Sequence, residues 1–174
     1  MEWLSSVGVE IPGKLDEQRC GRLQSSPPDS VYQTIGEIRD LVIHHSATPT
    51  GSARLFRLLH RGVFGWDDIG YHYVIGNGTS TADGLLEEGR PEWAVGAHSR
   101  GNNGNSLGIC LVGDFTETEP TERQMKALGE LLRDMLGRYD LNRGAIRLHR
   151  EMPGNSTRCP GERLGIDEVL SALR

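Results

Sequence analysis

The sequence predicts an α/β fold: a central mixed β-sheet flanked by helices, in a single domain. Three observations predict it. Short apolar runs recur around 41–45, 71–76 and 107–112, helical periodicity fills the stretches between and after them, and 174 residues suffice for one ordinary core.

Residues 1–35 are polar and irregular, and Pro12-Gly13 and Ser25-Ser26-Pro27-Pro28 break any long periodic pattern. They read as an N-terminal extension that wraps or trails a domain spanning 36–174. Leu41-Val42-Ile43-His44-His45 is a β-branched apolar run closed by Ser-Ala-Thr-Pro-Thr-Gly, which suits a central strand ending in a loop. Leu55, Leu58 and Leu59 follow at helical spacing before Gly62. Tyr71-His72-Tyr73-Val74-Ile75-Gly76 has strand composition, and Asn77-Gly78 signals a turn. Residues 89–106 are rich in Gly, Asn and Ser, and a loop that long in a compact domain is usually functional or mobile, so substrate contacts are expected there.

Leu107-Gly108-Ile109-Cys110-Leu111-Val112 is the next strand. Thr121-Glu122-Arg123-Gln124 forms a capping box, and Met125, Leu128, Leu132, Met135, Leu136 and Tyr139 line one face of the helix it starts. Ile146-Arg147-Leu148-His149 reads as a short strand, and Ile166 to Leu173 as a closing helix beginning near Asp167.

The net charge of -5 argues against a nucleic-acid partner, because phosphate contacts need clustered Lys and Arg. No run approaches a membrane span, and Met1-Glu2-Trp3-Leu4 lacks the start of a signal peptide, so cytoplasmic synthesis without membrane insertion is expected. Three cysteines, Cys20, Cys110 and Cys159, are too few and too widely spaced for a secreted disulfide framework. Cys110, inside an apolar strand, reads as a small core hydrophobe, and Cys20 as a bystander thiol.

His44, His149 and Cys159 offer nitrogen and sulfur donors of the kind that bind zinc, where a catalytic site keeps a fourth position for water. Spacing alone is weak evidence, since histidines are often only structural. His44 and His45 are adjacent on a strand and point to opposite faces, so one metal takes at most one of them. Asn103 and Asn105 either hydrogen-bond a glycan or peptide or stabilise turns. Trp66 and Trp93 either stack on sugar or pack in the core, and His60 and His72 carry no specific signal.

Ile43-His44-His45-Ser46-Ala47-Thr48 resembles the opening motif of the type-2 N-acetylmuramoyl-L-alanine amidases, which include phage endolysins related to T7 lysozyme and the animal peptidoglycan recognition proteins. The resemblance continues through Gly65-Trp66-Asp67-Asp68-Ile69-Gly70-Tyr71-His72-Tyr73, Ala94-Val95-Gly96-Ala97-His98 and Asn105-Ser106-Leu107-Gly108-Ile109. It closes with His149-Arg150-Glu151 and Cys159-Pro160-Gly161, in the family's order. It implies the amidase and recognition-protein fold, zinc (Zn2+) bound by His44, His149 and Cys159, and catalytic roles for Tyr71 and Thr157. It also places His98 at a position lining the substrate groove, against the alternative that His98 only organises its loop.

The implied reaction is hydrolysis of the amide between N-acetylmuramic acid and L-alanine of peptidoglycan. That reaction needs a water activated at neutral pH, which zinc supplies, and a donor for the developing oxyanion. Tyr71 or Thr157 could be that donor, and Tyr71 could instead orient water or shuttle a proton. Two departures from the family pattern stand out: Met152-Pro153-Gly154-Asn155-Ser156 lengthens the segment before the cysteine relative to the phage enzymes, and Thr157 stands where the T7-type enzymes carry lysine. The competing readings are a non-catalytic peptidoglycan-binding module and a zinc peptidase cutting within the stem peptide. A monomeric endolysin that reaches the cell wall after release is the expected biology.

Overall fold

The computed structural model describes residues 31–174. Its centre is a five-stranded sheet in the order β3-β2-β4-β1-β5, built from β1 (Asp40–His45), β2 (Tyr73–Ile75), β3 (Leu86–Glu88), β4 (Ser106–Leu111) and β5 (Ile146–Leu148). β1 pairs in parallel with β4 and β5, and β4 with β2, while β3 runs antiparallel to β2 at the edge. The mixed sheet is the one the sequence predicts. β3 carries no strand signal, because Leu86-Glu87-Glu88 is three residues long, charged and half solvated.

β1 is central and covered on both faces, which is why it reads as a continuous apolar run instead of an alternation. On one face Leu41, Ile43, Ile75, Leu107, Ile109, Leu111 and Leu148 form the main core with two helices, α2 (Glu122–Arg138) and α3 (Ile166–Ser171). On the other, Val74, Cys110 and Val112 pack with Ile69 and with Ala53 and Phe56 of α1 (Ala53–Gly62). Cys110 is a fully buried core residue, as its strand position predicts.

Thr121 caps α2 reciprocally with Gln124, as the sequence predicts, and the same Gln124 amide donates to the carbonyls of Ile75 and Val112. One residue therefore both starts the helix and pins it to two strand ends. α2 and α3 cross closely at Gly129, where a Cβ would lie 2.0 Å from the carbonyl oxygen of Ala172.

The helix expected around Leu55, Leu58 and Leu59 exists, but those leucines are 48%, 61% and 43% exposed, and Ala53, Phe56 and His60 face inward. The two stripes have equally good helical spacing; the second wins because Phe56 fills the space between Gly51 and Tyr71. Of the segment read as an extension, Gln33 and Ile35 hydrogen-bond along Trp93 and Val95, Tyr32 donates to Asp68, and Ile35 is buried. Residues 1–30 of that segment, with Cys20, lie outside the described residues.

Candidate metal centre and active site

Two neighbouring parallel strands end together and deliver the first two donors. Ile43 of β1 sits opposite Leu148 of β5, so the next residue on each, His44 and His149, emerges at the same carboxyl edge of the sheet. The two rings lie 4.3 Å apart, centroid to centroid. Cys159 is brought in by a turn: the Arg150 amide donates to its carbonyl, and the Arg150 guanidinium donates to the carbonyls of Gly161 and Leu164. Gly161, at φ 100°, passes so close to the Phe115 backbone that a Cβ has no room. Glycine at 161 is thus needed for the backbone path that follows the thiol.

The donor atoms of His44, His149 and Cys159 all lie within 4.8 Å of one another, and Cys159 Sγ is 3.8 Å from His44 Nδ1. Tetrahedral zinc with one nitrogen and one sulfur ligand requires a separation of about 3.6 Å, so the cluster fits that ion with little adjustment. The chemistry fits as well. Burial, and then the neighbouring His98 and His149, holds His44 well below the usual histidine range; burial also lowers His149, so both are neutral donors at pH 7. Burial pushes the Cys159 thiol up to about 12, a group that ionises here only with a cation beside it. The His45 amide points at the same sulfur from 3.4 Å.

Sequence and structure comparisons show the family. Residues 34–162 match the family described as N-acetylmuramoyl-L-alanine amidase. The chain belongs to that amidase family. It is 37% identical over 129 residues to the endolysin of Escherichia phage T7, covering 69% of this chain and 78% of that protein. It is 35% identical over 132 residues to peptidoglycan-recognition protein 2 of Holotrichia diomphalia, covering 71% of this chain and 66% of the relative. Among solved structures, the Ph2119 endolysin from the Thermus scotoductus MAT2119 bacteriophage Ph2119 superposes with a TM-score of 0.72 at 30% identity, over 83% of this chain and 90% of the other.

In this amidase-family chain the remaining predicted residues surround the cluster unequally. Tyr71 lies beside His44, ring centroids 5.3 Å apart, and burial, then the Cys110 and Cys159 thiols, keeps its phenol protonated far above neutral pH. Thr157 Oγ1 accepts the Cys159 amide at 3.1 Å, which leaves its O–H available to donate. His45 takes the opposite face, as strand alternation requires, and accepts the Phe115 amide on Nδ1.

His98 is buried beside His44, with Nδ1 3.1 Å from Nε2 of His44. Its ring occupies space that side chains at Gly96 and Gly108 would fill. Asn103 accepts the amides of His98 and Ser99 through one side-chain oxygen, which is the turn role; Asn105 accepts the Arg39 amide on its carbonyl at the entrance to β4. Trp66 sits half-exposed against His60 and Phe64, and Trp93 packs edge-on to Tyr32. His72 is a structural histidine, accepting the Gly108 amide and hydrogen-bonding the Ala94 carbonyl.

Two site-building residues escape the sequence reading. Arg150 sits inside a recognised motif yet serves the Cys-Pro-Gly turn, and Asn155 lies 3.2 Å from Nε2 of His149. Nothing in their spacing distinguishes them from ordinary surface residues.

Proposed function

We propose that this chain is a zinc-dependent N-acetylmuramoyl-L-alanine amidase that works as an endolysin, cleaving the bond between N-acetylmuramic acid and the L-alanine of the stem peptide. The observation that carries the reading is the convergence of two neutral imidazoles and one buried thiol at a spacing suited to zinc, within a chain of this family. His44, His149 and Cys159 would hold the ion, which supplies an activated water and Lewis-acid polarisation of the lactyl carbonyl at neutral pH.

The chain's own groups supply the rest. The Tyr71 phenol, held protonated, would donate to oxygen charge that develops on the carbonyl, and the Thr157 hydroxyl, which accepts the Cys159 amide, keeps its own O–H for the same use. Zinc-site integrity and cutting should therefore rise and fall together. Stripping the protein with a chelator and restoring zinc while following clearance of sacculi tests this: recovery in proportion to metal content supports the reading, and full activity in the metal-free protein contradicts it.

The recognition-protein relative supports a second reading, binding of peptidoglycan without cleavage. The complete donor set with Tyr71 favours the enzyme, since a binding surface needs neither a buried thiol nor a protonated phenol beside it.

A further inference from the structure

His149 has two ring nitrogens, and what one meets decides which is left for a metal. Its Nε2 lies 3.2 Å from Oδ1 of Asn155. The orientation of that carboxamide is set by its other end, because Nδ2 lies 3.2 Å from the Arg100 carbonyl and 3.0 Å from the Pro153 carbonyl. Carbonyl oxygens only accept, so the NH2 group must face them and Oδ1 must face the imidazole. An amide oxygen also only accepts. The imidazole must then carry its proton on Nε2, leaving the Nδ1 lone pair free.

His44 shows the same logic, with Nδ1 toward Cys159 and Nε2 turned away from it to the buried His98. We infer that Asn155 is a positioning residue that fixes the tautomer of His149 and so assigns Nδ1 as its metal-binding nitrogen. The inference rests on the zinc reading above. It also gives a purpose to the lengthened segment before Cys159: residues 152–156 carry this amide to the imidazole and are braced on the opposite loop by Asn102, whose side chain donates to the carbonyls of Pro153 and Arg100. A hydrogen-bonded partner on the outer nitrogen of a ligating histidine orients the ring and raises its basicity.

Asn155 is only partly buried, so its replacement spares the core. The test compares full-length wild type with Asn155→Leu and Asn155→Asp, measuring zinc dissociation constants by chelator competition and, in metal-free protein, the His149 tautomer by imidazole nitrogen NMR. Asp keeps an acceptor for Nε2–H but loses the bracing amide, whereas Leu loses both. Wild type and Asn155→Asp are expected to show the Nε2–H tautomer and zinc affinities within about threefold of each other, and Asn155→Leu mixed tautomers with affinity about 10- to 100-fold weaker. If Asn155→Leu binds zinc like wild type, or Asn155→Asp loses as much as Asn155→Leu, the inference is overturned while the zinc site stands. A wild type that binds no zinc and still cuts sacculi removes both.

Discussion

At the scale of single residues, the proposed oxyanion donors Tyr71 and Thr157 can be told apart by substitution. Tyr71 sits against His44 with its phenol held protonated by burial, which suits the proposed donor role and not that of a base. Tyr71→Phe should lower kcat by about 10²-fold, the usual cost of one oxyanion donor, with zinc affinity unchanged; steady-state kinetics on a soluble muropeptide, with parallel metal titration, check it. Thr157→Val separates donor from spacer: a fall approaching that of Tyr71→Phe assigns the hydroxyl to the oxyanion, and near-normal kcat assigns it to the Cys159 turn alone. The grouping of His44, His149 and Cys159 beside Tyr71 was legible through the motifs of the family resemblance and not through residue type or spacing alone, and the structure brings the four side chains together. Asn155 was not, because an Asn in a Gly- and Pro-containing loop looks the same whether it turns the chain or orients an imidazole.

At the scale of elements, α1 shows where hydrophobic patterning misleads. Its three leucines are more apolar than its three inward residues taken together, yet Phe56 is buried and Leu58 is the most exposed of the leucines. Phe56→Ala should cost about 3–5 kcal/mol of stability and Leu58→Ala less than about 0.5 kcal/mol, as read from denaturant unfolding. The reverse order would put the leucine stripe inside. By contrast α2 was legible to its first residue, because a capping box is a local signal that tertiary packing does not need to override. β3 was illegible for the opposite reason, since an edge strand of three residues is defined by its partner Tyr73–Ile75 and not by its own composition.

At the scale of the whole molecule, Glu92 ties the long loop to the rest of the fold. Arg138 grips its carboxylate with two nitrogens, and Tyr73 and Tyr139 donate to it as well. Burial alone would raise the Glu92 pKa, but these hydrogen bonds hold it down to about 2, against an ordinary value of 4.5. A depressed carboxylate contributes stability that is complete above the ordinary value and is lost as pH falls toward the folded one. Stability should therefore drop between about pH 4.5 and 2, and Glu92→Gln should remove on the order of 2–3 kcal/mol at pH 7 and flatten that acid limb, as urea unfolding across pH would show. Because this network anchors the loop that carries His98 behind His44, the fold and the site share one support.

The most direct test of the zinc-amidase reading is to incubate the protein and a Cys159→Ala variant with peptidoglycan sacculi, with and without chelator, and to identify the released ends by mass spectrometry. The account predicts stem peptides with a new L-alanine amino terminus from the wild type alone, abolished by chelation. Binding of both proteins without release of peptide, or release that survives both the chelator and the substitution, would contradict it.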